Sequence, residues 1–220
     1  MAKSAFRQAL EDAIEQRHSA VHPWSEAWTS GKLDRRLLGE WVKQHFHYVS
    51  HFSEWLGAVY ATCPHWDVQH FLLENITEEE GFVGSGDFAP VRHSELLPET
   101  LGLQSWCAVQ SKKPFVEALS GLLIGLESQV PRIYSKTTPP LLEKYGFTED
   151  EVTFFTIHIA ADIEHGEKGF EIVEKYATTD AERATCVRIV REATMMRRLY
   201  LDGVYRTFIE KGQAAKKLAA

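Results

Sequence analysis

Helical periodicity runs along almost the whole chain, and no stretch alternates apolar and polar residues as a strand would. Proline and glycine signals separate the periodic segments from one another. The predicted helices cover about residues 4–22, 32–63, 66–83, 92–101 and 114–134, then one that opens at 148–151, and a last one over 180–210. The chain is therefore predicted to form an all-α bundle of about seven or eight helices.

Length and charge narrow the class of protein. The 220 residues suit one domain with a single core, so we expect a helical domain over residues 1–212 and a polar tail over 213–220. A formal net charge of −7 argues against nucleic acid as a partner. No signal peptide or bilayer-spanning run is visible, and the three cysteines form no CxxC pair, so we expect a cytoplasmic protein without a membrane partner.

A group of metal-binding residue types follows an H-x3-D-x2-H pattern in the last third of the chain. His158, Asp162 and His165 stand at positions i, i+4 and i+7, which share one helical face. Two imidazoles and one carboxylate suit Fe or Mn, and also Zn. The spacing therefore predicts that these three side chains meet at one metal site.

Two glutamates interrupt the apolar faces of other predicted helices. Glu79 shares a face with Leu72, Ile76 and Val83, and Glu127 lies in the otherwise apolar run from 119 to 130. An ionised carboxylate in a dry core is costly unless it is paired or binds metal. Helices that each direct acids or imidazoles inward are typical of dimetal sites in bundles.

Each of these residues also has an ordinary structural interpretation. Glu79 belongs to a run of three glutamates that composition alone would assign to a solvated face, and Glu127 alone could be a buried acid paired with Arg or His. A lone inward histidine is usually a satisfied core residue. The five residues taken together favour a metal centre, and their number exceeds the four ligands of one structural Zn.

A rival constellation lies on the second predicted helix. His47, His51 and Glu54 repeat the i, i+4, i+7 spacing in a segment rich in aromatic residues, and His45 adds another imidazole. We favour an amphipathic helix whose histidines face solvent or line a pocket. The alternative that Glu54 serves as an additional metal ligand is kept.

The chain resembles the haem-oxygenase-like dimetal oxidases and oxygenases, which are akin to PQQ synthase and TenA-type thiaminase. Within that group it is most similar to the folate-related branch typified by the chlamydial protein associating with death domains. The motifs that carry the resemblance are His22-Pro23-Trp24 with Ala27-Trp28, Lys43 through His47, Leu73 through Glu79, Glu127 through Pro131, and Phe154 through His165.

The resemblance implies a haem-oxygenase-like fold and a non-haem dimetal enzyme that uses O2 as cosubstrate on a small metabolite. The metals would be two Fe ions or Mn with Fe, and a homodimer is expected. The implied ligands are Glu79, His93, Glu127, His158, Asp162 and His165. Glu79 or Glu127 would bridge the metals, and the carboxylates of Glu79, Glu127 and Asp162 would carry the catalytic centre. The assignment of His93 rests on the His93–Leu97 run, which follows a longer gap than the family has.

Departures from the family pattern concern the substrate. The chlamydial branch is understood to make 4-aminobenzoate from one of its own tyrosines, with a lysine as nitrogen donor. Here the tyrosine position reads Ser25, nearby aromatic positions read Phe46 and Phe154, and the lysine position falls at Lys136 or Thr137. We therefore expect an external substrate, in 4-aminobenzoate-related or other amino-acid-derived metabolism.

Three other functions compete with this expectation. One is a metal-free enzyme like PQQ synthase or thiaminase, although Cys107 and Cys186 lie in no recognisable nucleophile motif. The others are a protein-interaction module and a ferritin-like metal store. The aromatic residues Trp24, Phe46, Tyr48, Phe82 and Tyr134 are candidate pocket walls that could equally be ordinary core.

Overall fold

The computed structural model describes residues 3–82 and 89–211, which form helices and turns without a strand. The α-helices are α1 Ala5–Glu15, α2 Pro23–Thr29, α3 Arg35–Val49, α4 Phe52–Thr62, α5 Trp66–Phe82, α6 Ala89–Arg92, α7 Pro98–Gln110, α8 Phe115–Leu119, α9 Val130–Glu143, α10 Thr153–Tyr176 and α11 Asp180–Tyr205. π-Helical stretches cover Ser120–Leu126 and Arg206–Glu210, and 3-10 turns cover Ser19–Val21, Glu127–Gln129 and Asp150–Val152. Eight of these α-helices (α1, α3, α4, α5, α7, α9, α10 and α11) have ten or more residues, so the predicted all-α bundle is confirmed.

Side chains close the N-termini of several helices, as the sequence indicates. The Ser4 hydroxyl accepts a hydrogen bond from the Arg7 N–H, and the Asp34 carboxylate accepts one from Leu37. Thr179 and Glu182 form a capping box at the start of α11. The sequence Thr148-Glu149-Asp150-Glu151 predicts a capping box, and Thr148 and Glu151 form one ahead of the 3-10 turn that leads into α10.

Two predicted helices are wrong because each is divided. The first ends at Glu15, and a 3-10 turn then leads to α2, where Pro23 occupies the first turn and the His22 ring caps the Trp24 N–H. The second, expected over 32–63, becomes α3 and α4, with His51 at φ −106° and ψ 4° between them. No proline or glycine marks that break, so packing rather than local sequence produces it.

The middle of the chain also differs from expectation. The predicted 92–101 helix is wrong, since α6 ends at Arg92 and α7 starts at Pro98 and continues to Gln110. The predicted 114–134 helix changes to a π-helical stretch, then a 3-10 turn, and a new helix begins at Val130. Pro131 thus lies in the first turn of α9 rather than near a helix end, where its missing N–H costs nothing.

The core is centred on the Ser120–Leu126 stretch. All seven of its residues are buried, and it packs against α10 and α11. Small residues allow the close approach: a Cβ on Gly125 would lie 2.4 Å from the Ala193 Cβ on α11, and one on Gly169 of α10 would lie 3.0 Å from the Leu123 Cβ. This stretch therefore fixes the position of the residue that follows Leu126, which is Glu127.

Among the described residues, no helix is long and apolar enough to cross a membrane. Residues 84–87, whose Gly-Ser-Gly-Asp sequence predicts a loop, and the polar tail predicted over 213–220 lie outside the described residues. The division into domain and tail stays a prediction.

The close contact at Gly125 gives a test of the core. We expect Gly125→Ala to lower the free energy of unfolding by about 1–3 kcal/mol, because the Ala193 Cβ cannot rotate away. Gly39→Ala is the matched control: a Cβ there meets nothing within 4 Å on helix α3, so it should stabilise by about 0.5–1 kcal/mol. Urea unfolding measures both, and equal effects at the two glycines would contradict the packing described above.

Candidate metal centre

The cavity with the greatest concentration of predicted site residues has a volume of about 240 Å³. It lies among helices α3, α5, α9, α10 and α11 and the segment around Glu127. The lining residues are His45, Phe46, Tyr48, Val49, Ser50, Phe52, Glu79, Glu80, Arg92, Glu127, Val130, Tyr134, Phe154, His158, Asp162 and Arg197.

Helix α10 carries three residues of the H-x3-D-x2-H pattern on one buried face. His158, Asp162 and His165 are only 7%, 2% and 6% exposed. The Nδ1–H of His158 donates to the Phe154 carbonyl oxygen at 2.7 Å, which leaves Nε2 as the acceptor nitrogen of that ring. A hydrogen bond that fixes the tautomer in this way is typical of metal-binding histidines.

Glu127 approaches the same point from the opposite side. Its Oε1 lies 2.8 Å from His165 Nδ1, and that nitrogen lies 3.8 Å from Asp162 Oδ1. One ligand atom from each of Glu127, Asp162 and His165 lies within 4.8 Å of the other two. All three residues are buried, so the arrangement is that of a metal site rather than a solvated acidic patch.

Irregular helix geometry directs Glu127 inward. The backbone changes from π-helix to 3-10 turn at this residue, and side chains satisfy carbonyls near the change. Gln129 Nε2 donates to the Gly125 oxygen at 2.6 Å, and Arg197 Nη1 donates to the Leu126 oxygen at 2.7 Å. The two carbonyl groups that precede Glu127 are thus each held by a side chain.

Helix α5 adds Glu79, the fifth residue predicted to take part. Its Oε2 lies 4.0 Å from His158 Nε2, and its side chain is 17% exposed. The structure therefore brings together Glu79, Glu127, His158, Asp162 and His165. His93 lies just after α6 with an exposed side chain and does not line the cavity, so its role as sixth ligand stays a prediction.

Glu78 is a site residue that the sequence reasoning did not select. Its Oε2 lies 2.9 Å from His165 Nε2, while the other ring nitrogen faces Glu127. The apolar stripe on α5 favoured Glu79, and both neighbouring glutamates in fact face α10. The acidic run itself was the only sequence signal for Glu78.

Two carboxylate oxygens in this cluster lack partners. Glu127 Oε2 and Asp162 Oδ1 are buried and accept no hydrogen bond from any described residue. Buried polar atoms without partners are rare, because their loss of hydration is not repaid. Oxygen and imidazole donors of this kind fit a divalent Fe or Mn ion, which would satisfy the two oxygens.

The burial and close spacing of these acidic and imidazole groups also determine which of them hold protons. Burial, with the nearby carboxylates of Glu127 and Glu79, raises the pKa of Asp162 well above its ordinary value. Burial also raises the pKa of Glu127. Burial opposes a charge on His165, but the hydrogen bond to Glu127 and the charges of Glu127 and Glu78 outweigh it and raise the pKa of His165 to about 9. Without metal, the cluster therefore retains protons at neutral pH.

The rival histidines do not meet at one point. His47 Nε2 lies 3.0 Å from the Ser94 hydroxyl, whereas His51 Nδ1 lies 3.0 Å from Glu54 Oε2 near the surface. The break between α3 and α4 separates them, and Glu54 does not line the cavity. His51 reaches the surface as the favoured interpretation expects, whereas His47 is buried and does not line the cavity. Glu54 as a ligand stays a prediction.

His45 lies on the cavity wall in a buried aromatic cluster. Its Nε2 lies 3.0 Å from the Tyr134 hydroxyl, and its ring stacks on Trp41 at 4.4 Å between centroids. Burial lowers the pKa of His45 to about 3, so the ring is neutral at physiological pH. Phe46, Tyr48 and Tyr134 line the cavity as expected.

Two other expected pocket walls lie elsewhere. Trp24 lines a neighbouring cavity of about 30 Å³ rather than the cavity that holds the acidic cluster. The side chain of Phe82 lies outside the described residues.

Comparison with known families and curated proteins gives consistent results. A family model described as "Iron-containing redox enzyme" matches residues 39–198. A 4-aminobenzoate synthase from Nitrosomonas europaea is 30% identical over 100% of this chain and 99% of its own. A 4-aminobenzoate synthase from Chlamydia muridarum is 25% identical over 90% of this chain and 89% of its own.

Solved structures share the fold at lower identity. A TenA homologue from Pseudomonas syringae superposes with a TM-score of 0.78 at 14% identity, and the match covers 92% of this chain and 93% of that one. A protein with a haem-oxygenase-like fold from Shewanella denitrificans has a TM-score of 0.68 at 17% identity, with 92% and 90% covered. The predicted haem-oxygenase-like fold is confirmed.

The pKa values predict that metal and protons compete. Because His165 and Asp162 retain protons in the metal-free protein, Co(II) affinity should rise about tenfold per pH unit for each proton displaced between pH 6.5 and 9. Both folded-state pKa values are raised above those of the unfolded chain, so the metal-free protein should also lose stability as pH rises over this range. Calorimetric titrations in buffers of different ionisation heat count the protons, and an affinity independent of pH would contradict the assignment.

The contact between Glu78 and His165 gives a second prediction. Glu78→Ala should lower Co(II) affinity about 10–100-fold, because Glu78 no longer holds the ring with Nδ1 toward Glu127 and Asp162. Glu74→Ala is the control, since Glu74 lies on the same helix and, among the described residues, pairs with exposed His70 alone, at 3.3 Å. Visible absorption of bound Co(II) reports the change, and equal affinities in the two variants would exclude this role.

Proposed function

The chain belongs to the iron-containing redox enzyme family, and on this premise we propose that the cavity holds a non-haem dimetal centre that uses O2 to oxidise a small metabolite. The protein is an oxidoreductase of that family. The proposed metals are two Fe ions or Mn with Fe, since the ligand set does not choose between them.

The observation that carries the proposal is the buried cluster of Glu127, Asp162 and His165, with two carboxylate oxygens that have no described partner. Glu79 and His158 lie on the same cavity and would extend the cluster to a second metal. Glu127 and Glu79 are the proposed bridging carboxylates, and His158 and His165 the proposed terminal imidazoles. His93 is retained as the sixth ligand by resemblance only.

The bound metals would supply O2 activation, which no protein side chain provides. The chain's own residues perform the remaining tasks. Glu78 and the Phe154 carbonyl orient the two imidazoles. Aromatic walls exclude water from the reacting centre, and the neutral His45 and Tyr134 form a hydrogen-bonded pair beside it.

The proposed substrate is an external molecule rather than a side chain of the protein. Ser25 occupies the position of the consumed tyrosine and donates to the Ser19 oxygen at 2.8 Å. Lys136 Nζ donates to the Ala20 oxygen, and the Thr137 hydroxyl donates to the Ile133 oxygen. Neither residue lines the cavity, so Lys136 does not present its amine there. By analogy with the related synthases, we place the reaction in 4-aminobenzoate-related metabolism. A homodimer is proposed on the same resemblance.

A metal-free thiaminase-like activity finds no support in the cysteines. Cys63, Cys107 and Cys186 are all buried, and burial raises the pKa of each thiol. A nucleophilic cysteine needs an accessible thiolate and therefore a lowered pKa. The similarity to TenA homologues consequently concerns the fold.

Iron titration tests the proposal directly. Anaerobic addition of Fe(II) to metal-free protein should reach two irons per chain, and subsequent addition of O2 should cause rapid O2 consumption. Glu127→Ala and His158→Ala should each lose at least one iron, because each removes a ligand from the buried cluster. Iron analysis and an oxygen electrode measure the two results.

A matched control is His70→Ala, which removes an exposed imidazole on α5 and should retain both irons. Metal analysis of protein produced with both Mn and Fe identifies the pair. No iron uptake, or uptake that is unchanged in both ligand variants, would refute the proposed centre.

A further inference from the structure

Arg197 of helix α11 is a buried cation on the wall of the cavity that holds the candidate metal centre. Its side chain is 5% exposed, and its one hydrogen bond to a described residue runs from Nη1 to the Leu126 oxygen at 2.7 Å. A guanidinium has five N–H donors, so most of its capacity is unused by the protein.

A buried arginine without a carboxylate is unusual, because burial of an unpaired charge costs several kcal/mol. The group does not escape this cost by losing its proton, since an arginine side chain stays charged in proteins. Arg7 shows the usual solution in this same chain. It is 8% exposed, and its guanidinium lies 2.8 Å from Glu11 and 2.6 Å from Glu167.

The polar neighbours of Arg197 supply no negative charge. Tyr48, Tyr134 and Tyr200 are buried, and burial raises the pKa of each phenol, so they remain neutral. His45 is neutral as well, for the reason given above. None of these groups balances the guanidinium.

The carboxylates on the same cavity do not form ion pairs with Arg197 either. Glu79, Glu127 and Asp162 are the candidate metal ligands, and none lies within ion-pair distance of its guanidinium. Two divalent ions would bring four positive charges, and these three carboxylates together with that of Glu80, which also lines the cavity, would offset them. Arg197, which forms no ion pair with a described residue, would still have no carboxylate of its own when the metals are bound.

The remaining walls define the rest of the ligand. Phe46, Phe52 and Phe154 line the cavity together with the tyrosines, so most of the surface suits an apolar or aromatic body. Arg92 also lines the cavity, with an exposed side chain whose guanidinium lies 5.9 Å from the Phe46 ring centre. A second cation at this position attracts anions toward the cavity.

We propose that the substrate is a small organic carboxylate with an apolar or aromatic body, and that Arg197 binds its carboxylate group inside the cavity. The proposal rests on the dimetal oxidase function and specifies its substrate class. A guanidinium and a carboxylate form two parallel hydrogen bonds, so Arg197 would fix the orientation of the substrate beside the metals as well as its charge.

A purely structural role for Arg197 is the alternative. The Leu126 oxygen that it contacts belongs to the residue before Glu127, so Arg197 could serve only to hold the distorted backbone in place. The two roles differ in what a variant loses. Loss of a backbone contact alters metal binding, whereas loss of a ligand contact alters the preference for a carboxylate over a neutral analogue.

The test compares benzoate with benzamide, which has the same shape without the charge. Binding to wild-type protein is measured by calorimetry, in the Fe(II)-loaded state without O2 and in the metal-free state. We expect benzoate to bind at least 30-fold more tightly than benzamide to the loaded protein. Acetate should bind more weakly than benzoate, because it leaves the aromatic walls uncovered.

Variants assign this preference to one residue. Arg197→Met should abolish the preference for benzoate, and Arg197→Lys should retain part of it through the preserved charge. Arg191→Gln on the same helix is the matched control, since Arg191 is exposed and should leave the preference unchanged. Circular dichroism and iron content verify each fold. If Arg197→Met does not fold, the wild-type comparison in the metal-free state decides the matter, because no metal then competes for the carboxylate.

Equal binding of benzoate and benzamide to wild-type protein would overturn the proposal. An Arg197→Met variant that retains the preference for benzoate would also overturn the proposal, since the metals would then bind the carboxylate. An Arg197→Met variant that loses iron but not the preference would overturn it as well. A failure of the proposed dimetal function can be distinguished from a failure of the proposed carboxylate site. A chain that binds no iron but still prefers benzoate in the metal-free state would refute the metal centre and support the carboxylate site.

Discussion

The contact between Glu127 and His165 is the interaction on which the rest of the site depends. It joins α10 to the irregular segment before α9, and it places a buried carboxylate 2.8 Å from a buried imidazole. Neither group can be charged alone in this interior at low cost. The pair and its neighbour Asp162 therefore need protons or a metal, and the two unpartnered carboxylate oxygens indicate where the metal would bind.

The surrounding helices secure this geometry at close range. Gly125 permits the contact with Ala193 that draws the π-helical stretch against α11, and the same helix supplies Arg197 to the Leu126 carbonyl. A regular α-helix through this segment would rotate Glu127 away from α10, because each residue advances the side chain by about 100°. The departure from α-helical geometry therefore directs the Glu127 side chain toward the cluster. Such departures are common at functional sites.

Residue spacing within one helix predicted which side chains share a face of that helix. It did not predict features that depend on contacts between several helices. The positions of His158, Asp162 and His165 follow from 3.6 residues per turn, and Glu127 was recognisable as a charge in an apolar run. The break between α3 and α4 has no proline or glycine to signal it. Glu78 and Arg197 gain their importance from partners on other helices, which a single sequence does not reveal.

The source of the proposed substrate separates this chain from the chlamydial branch that it resembles. A site that consumes its own tyrosine already holds its substrate and needs no residue to capture one. By the resemblance, Ser25 stands at the tyrosine position and Lys136 or Thr137 at the lysine position, and all three side chains donate to backbone carbonyls. An enzyme with an external substrate must instead select and orient it, and a buried guanidinium without a carboxylate is suited to that task. The proposed external substrate and the presence of Arg197 are therefore consistent with one arrangement: the proposed metal ligands are kept, and the cavity beside them would receive a molecule from solution.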